Sequence, residues 1–165
     1  MPEAAIGLGS NLGDKAANLK HAVEAIAATP GITLRATSAV YRTSPWGRVD
    51  QDTFLNACII VETSLAPREL LAVCRKAEDE GGRDRGTEER WGPRKIDADI
   101  LLYGDRSVNE ADLVIPHPRM TERAFVLVPL ACIAPDWRID GVTVRERAEA
   151  LGRDGVEEAP EARLF

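Results

Sequence analysis

Two aspartates, Asp97 and Asp99, interrupt an apolar run in WGPRKIDADILLYG, residues 91–104. Side chains alternate across a strand, so the pair shares one face with Cα atoms ~6.6 Å apart, while Ile96, Ala98, Ile100 and Leu102 take the other. Carboxylates that close repel, and one pKa must rise unless a cation lies between them. Magnesium suits such a pair: it takes oxygen ligands, keeps several waters and commonly uses one or two carboxylates plus substrate phosphates. A solvated strand face, or ion pairs to the adjacent Arg94 and Lys95, would satisfy the two acids equally.

The residues around this pair extend the chemistry. Arg83, Arg85, Arg90, Arg94 and Lys95 precede it, interleaved with Glu80, Asp84, Glu88 and Glu89, which is the pattern of a solvated, salt-bridged loop. Arg94 is close enough in sequence to reach the face of Asp97, and its guanidinium fork grips phosphate oxygens bidentately. Carboxylates for a metal and a guanidinium for phosphates together make a polyphosphate site. Trp91, beside Gly92-Pro93, is either a loop anchor packed on the core or part of a mobile lid. His117 stands between two prolines with Arg119 and Arg123 behind it, either as a structural imidazole or as a phosphate contact. Phe54 and Asn56, two residues apart on one strand, present a ring and an amide together, which suits a flat heterocycle; Phe54 and Phe125 would each also serve as core aromatics.

GLGSNLGD, residues 7–14, has glycines at 7, 9 and 13, a spacing that departs from the dinucleotide fingerprint G-x-G-x-x-G, and no P-loop motif occurs. It reads as a tight turn into a helix capped by Asn11 or Asp14.

The elements that must position these groups follow from periodicity. Ala4–Leu8 is a short apolar strand, and Ala16, Leu19, Val23, Ile26 and Ala27 recur at helical spacing over residues 15–28. Residues 32–41 and 53–63 are rich in β-branched and apolar residues and predict two strands, separated by an exposed loop at 42–52. Pro67 opens a second helix, carrying Leu70, Leu71, Cys74, Ala77 and Glu78 to a stop at Gly81-Gly82. After the polar stretch 80–95 comes the aspartate strand, then short pieces at 113–115 and 121–123, an apolar run at 125–133 and a last helix at 142–151. The order predicts an α+β fold, a ferredoxin-like βαββαβ antiparallel sheet with helices on one face and long functional loops. Residues 1–151 form one domain in this reading, and 152–165 a loosely ordered tail.

Composition narrows the classes. The chain has 165 residues, 44% hydrophobic and 29% charged, as ordinary globular proteins do, and a formal net charge of -6, which argues against a general nucleic-acid binder. The 5% aromatic content likewise argues against an RNA-binding sheet. Three widely spaced cysteines, Cys58, Cys74 and Cys132, sit among apolar neighbours and predict reduced core thiols. No secretory h-region and no membrane-length apolar run occur, so a cytoplasmic protein without a membrane partner is expected.

In order, G-L-G-S-N-L-G-D, Y-R-T-S-P-W-G, F-L-N-A, R-W-G-P-R-x-I-D-x-D-I-L-L-Y-G, I-P-H-P-R-M and E-R-A-F-V-L-x-P-L resemble the 6-hydroxymethyl-7,8-dihydropterin pyrophosphokinase family of folate biosynthesis. The resemblance spans residues 4–137 and implies transfer of the β,γ-diphosphate of ATP to the pterin hydroxymethyl oxygen by a monomer. It implies two magnesium ions on Asp97 and Asp99, and Arg83 and Arg94 as phosphate-binding arginines completing the catalytic set. It places His117 and Arg123 near the triphosphate, with Glu78 and Ile100 at the nucleotide. Phe54 and Phe125 would sandwich the pterin, Asn56 would hydrogen-bond it, and Thr43, Ser44, Pro45 and Trp46 would wall the pocket. Trp91 would belong to the mobile catalytic loop. Ser44 stands where the family pattern often has Pro and Phe54 where it often has Tyr, while Asp112 and Val114 replace basic or hydroxyl side chains near the nucleotide. A non-catalytic pterin- or nucleotide-binding module on the same fold would carry the same pocket.

Overall fold

The computed structural model describes residues 1–43, 53–80 and 96–164. In chain order it contains β1 (Glu3–Ser10), α1 (Lys15–Ala27), β2 (Ile32–Thr37), β3 (Tyr41–Thr43), β4 (Phe54–Thr63), α2 (Pro67–Glu80) and β5 (Asp97–Tyr103). Then follow β6 (Val108–Glu110), β7 (Leu113–Ile115), a 3-10 turn at Met120–Glu122, α3 (Ala124–Ile133), β8 (Arg138–Ile139), β9 (Val142–Thr143), α4 (Val144–Leu151) and β10 (Val156–Glu158).

Local chemistry explains where the helices begin. Asp14 caps α1 by accepting the Ala17 N–H at 3.1 Å, so the glycine-rich turn ends as the sequence predicts, with the second of its two candidate caps in that role. Gly13 supplies the positive φ of 73° that the turn requires. Pro67 is the first residue of α2, and Glu69 reaches back to accept the Ala66 N–H at 2.8 Å, half of a capping box.

The central sheet runs β10-β3-β4-β1-β5, with β2 also paired to β4, and every pairing is antiparallel. Its β5-β1-β4-β2 part, with α1 and α2 as the two crossovers, is the ferredoxin-like βαββαβ unit, so the α+β assignment holds. Ala4, Ile6, Leu8, Ala57, Ile59, Val61, Ile96, Ala98 and Ile100 cover one face and pack against Leu19, Val23 and Ile26 of α1 and Leu70 and Cys74 of α2.

The expectation of helices on one face only is corrected. Ala5, Cys58, Ile60, Leu101 and Leu102 form a second apolar face, and Leu127 and Leu130 of α3 with Val144 of α4 bury it. Such a strand, apolar on both faces, reads as a continuous hydrophobic run, as ACIIV in β4 does. Leu102 itself changes sides: the β1–β5 register shifts between Ala5 and Ile6, leaving Leu101 unpaired, so both Leu101 and Leu102 point to the second face.

Two further differences concern the sheet's edge. The strand expected over 32–41 is broken, because β2 and β3 pair with different stretches of β4. Ser38 spans the gap: its N–H donates to the Cys58 carbonyl at 2.9 Å and its Oγ accepts the Cys58 N–H at 2.8 Å. The supposed loose tail is ordered, with β10 paired to β3 and Ala159, Ala162 and Leu164 buried in the first core. Its apolar residues are too sparse to show a period, and burial came from the open edge of β3. Cys58 and Cys74 are buried as expected, whereas Cys132 is exposed on α3. Among the described residues, no helix is long and apolar enough to cross a membrane.

Ser38→Ala should therefore lower stability by about 1–3 kcal/mol, because it strands the buried Cys58 N–H without an acceptor. The midpoint of urea unfolding reads this directly; an unchanged midpoint would show that the gap needs no bridge.

Candidate functional site

Cross-strand partners share a face, and two rows of them cross the middle of the sheet. Asn56, Gly9 and Asp97 form the first row and Cys58, Gly7 and Asp99 the second. Asp97 and Asp99 therefore lie on the face that carries Asn56, with glycine between amide and carboxylate. The glycine makes room for the amide: a Cβ at position 9 would stand 2.8 Å from Asn56 Oδ1 and force it to shift. Asn56 is buried and donates through Nδ2 to Thr43 Oγ1 at 2.8 Å, which fixes which way its amide points. Phe54, half-buried at the start of β4, lies on this face by alternation. The face thus holds a trough floored by glycine, with an amide and a ring at one side and two acids at the other.

The acid side has a cationic wall. The His117 N–H donates to the Leu101 carbonyl at 3.0 Å, tying the Pro116–Pro118 segment to β5. Arg119 donates its N–H to His117 Nδ1 at 3.2 Å. Burial, then the charges of Arg123 and Arg119, press the His117 pKa from 6.5 to about 4. That leaves a neutral imidazole at pH 7. Arg123, at the start of α3, is half-buried, with Nε enclosed and without a hydrogen-bond acceptor among the described residues. Burial lowers its pKa, Asp99 and Asp97 raise it, and Arg119 opposes them, so its guanidinium feels both acids. It also lies 5.6 Å from the Phe125 ring centroid, so ring and cation line the same side.

Glu78 is buried on α2 and accepts the Ala98 N–H at 3.0 Å, bracing the edge strand between the two aspartates. Ile100 buries its side chain in the first core, leaving only backbone to offer a ligand. The structure thus brings Thr43, Phe54, Asn56, Glu78, Asp97, Asp99, His117, Arg123 and Phe125 to one region around the sheet's middle and β5. Ser44, Pro45, Trp46, Arg83, Trp91 and Arg94 lie outside the described residues. Sequence reasoning missed Gly9, whose signal was the G-x-G at the end of β1, and Tyr41, which had none. Among the described residues, no three His, Cys, Asp or Glu side chains cluster as a metal cage.

His117 generates a pH prediction. Its folded pKa lies below the unfolded value, so the unfolded chain takes up this proton first as pH falls; the stability it contributes is complete above ~6.5 and is lost toward 4. An imidazole NMR resonance with a midpoint near 4 should be present in the wild type and missing in His117→Gln, and the variant should lose stability less steeply between pH 6.5 and 4. A His117 midpoint above 6.5 contradicts the burial that the fold imposes.

Residues 5–135 match the model of the 7,8-dihydro-6-hydroxymethylpterin-pyrophosphokinase (HPPK) family. A 2-amino-4-hydroxy-6-hydroxymethyldihydropteridine pyrophosphokinase of Methylorubrum extorquens is 56% identical over 157 residues, covering 95% of this chain and 98% of that one. The enzyme of the same name from Bacillus subtilis is 46% identical over 128 residues, 78% of this chain and 75% of its own. Among solved structures, wild-type Plasmodium falciparum HPPK-DHPS with SDX-DHP superposes with a TM-score of 0.69 at 16% identity over 91% of this chain. An HPPK-DHPS in complex with substrates gives 0.71 at 12% identity over 90%. This chain spans 43% of each of those two, and at such identity the likeness is one of fold. The chain belongs to the 7,8-dihydro-6-hydroxymethylpterin-pyrophosphokinase family.

Proposed function

We propose that the chain, as a magnesium-dependent monomer, transfers the β,γ-diphosphate of ATP to the hydroxymethyl oxygen of 6-hydroxymethyl-7,8-dihydropterin. Pyrophosphokinase activity in folate biosynthesis follows from the family to which the chain belongs. The observation that carries the finer reading is the shared row of Asn56, Gly9 and Asp97, with Asp99 and the half-buried Arg123 beside it.

The donor set fits magnesium. Two neighbouring carboxylates are what a hard, water-retaining ion that also takes phosphate oxygens asks of a protein. Arg123, whose guanidinium feels both acids and whose Nε has no acceptor among the described residues, fits a phosphate oxygen arriving beside them. Asp97 and Asp99 would hold the two ions. Bound there, magnesium would offset phosphate charge and acidify the attacking hydroxyl.

The remaining work falls to side chains. Asn56, held by Thr43, would orient the pterin over the glycine floor, with Phe54 and Phe125 as the flanking rings and Ser44, Pro45 and Trp46 completing the wall. His117, Arg123, Arg83 and Arg94 would fix the triphosphate, with Glu78 and the Ile100 backbone toward the nucleotide. Trp91 would travel with the loop that excludes water. The forming bond joins the hydroxymethyl oxygen to Pβ; the breaking bond joins Pβ to the α,β-bridging oxygen, which leaves with AMP. No protein nucleophile is needed. Burial pushes the Cys58 thiol up, and burial with the Asp99 charge pushes Cys74 up to about 12, so neither supplies a thiolate at neutral pH. Asp112 need not repel the nucleotide, because the Arg68 guanidinium hydrogen-bonds its carboxylate and offsets its charge.

With ATP, magnesium and the hydroxymethyl dihydropterin, the products should be AMP and pterin diphosphate; ADP refutes the reaction. Asp97→Asn and Asp99→Asn should each lower kcat by at least ~100-fold while pterin affinity, read by titration calorimetry, is retained. Full turnover in both variants would sink the metal assignment, and absent turnover in the wild type would leave a binding module.

A further inference from the structure

The C-terminal strand lies beyond the stretch that the family model matches, yet it is built into the back of the candidate pterin pocket. Val156 pairs with Thr43, which pairs with Phe54; Glu158 pairs with Tyr41, which pairs with Asn56. Val156 is 7% exposed and packs in one cluster with Tyr41, Val128, Ala124 and Phe125. Tyr41 is locked on both sides: its hydroxyl meets Cys132 Sγ of α3 at 2.9 Å, and Arg153 of the segment before β10 stands 5.7 Å from its ring.

Taken together, these contacts link three groups the pocket needs. β3 supplies Thr43, which orients the Asn56 amide. α3 supplies Phe125, and Val156 of β10 packs in one cluster with that ring and with Tyr41 of β3. Without β10, the three-residue β3 would be a bare edge strand, free to fray with Thr43 at its end. The Ala159 N–H on the Val40 carbonyl at 2.8 Å and the exposed Arg42–Glu161 ion pair continue the clasp past β10.

We propose that Val156 is a positioning residue for the pterin: through β3 and α3 it sets the Thr43–Asn56 hydrogen bond and the place of the Phe125 ring. This rests on the pterin-site reading above. A recognition hydrogen bond pulled out of line costs roughly tenfold in affinity, which is why a small displacement at the pocket should register in pterin binding.

The experiment compares Val156→Ala, Val156→Thr and Val156→Ile with Ile26→Val, a first-core truncation of modest cost. Pterin and non-hydrolysable ATP-analogue affinities are measured by calorimetry, with melting temperatures alongside. The Ala and Thr variants should bind pterin about tenfold more weakly with nucleotide affinity unchanged within about twofold, and the Ile variant should keep wild-type pterin affinity. Ile26→Val should lower the melting temperature and leave pterin binding alone. Wild-type pterin binding with equal affinity in Val156→Ala or Val156→Thr overturns the positioning role by itself. A wild type that binds no pterin overturns the functional reading, and the inference with it.

Discussion

A side chain at position 9 would press on the Asn56 amide, and the candidate site depends on the room that glycine leaves there. Asn56 Oδ1 already occupies the space a Cβ would need. Because Gly9 is the cross-strand partner of both Asn56 and Asp97, the vacancy lies between a hydrogen-bonding amide and a carboxylate. Antiparallel register then adds Gly7 and Asp99 one row on, on the same face. A sheet gives such rows fixed spacing without any loop having to hold them.

The sheet's two faces share the labour unequally. One is closed by α1 and α2 over a continuous apolar core. The other is apolar only toward one end, under α3 and α4, and polar where β4, β1 and β5 present Asn56, glycine and the aspartates. The bulge at Leu101 makes this division possible. It turns two successive leucines to the second core while leaving Asp97 and Asp99 on that same side nearer the strand's start. Charge follows the same boundary. Arg123 begins α3 where core gives way to acids, and its enclosure and the neutral state of His117 both come from burial at that boundary.

Enclosure at the opposite edge comes from the chain's last described residues. β10 covers β3, and Val156 joins the aromatic cluster behind Phe125. Apolar packing rather than charge secures it, since the Arg42–Glu161 pair is exposed and screened by water.

Spacing alone revealed the strand carrying Asp97 and Asp99, the helix starts after Asn11 or Asp14 and at Pro67, and the order that implies a ferredoxin-like unit, because period and capping are local physics. The motif order likewise marked Asn56, His117, Arg123 and Phe125 as candidates. What remained hidden required partners distant in the chain. The second layer of helices, the bulge that redirects Leu102, the break at Ser38 and the ordering of residues 156–164 are each decided by which surface another segment leaves uncovered. The same holds for Gly9: its sequence context reads as a turn, and only the register with Asn56 shows that the glycine is there to make room.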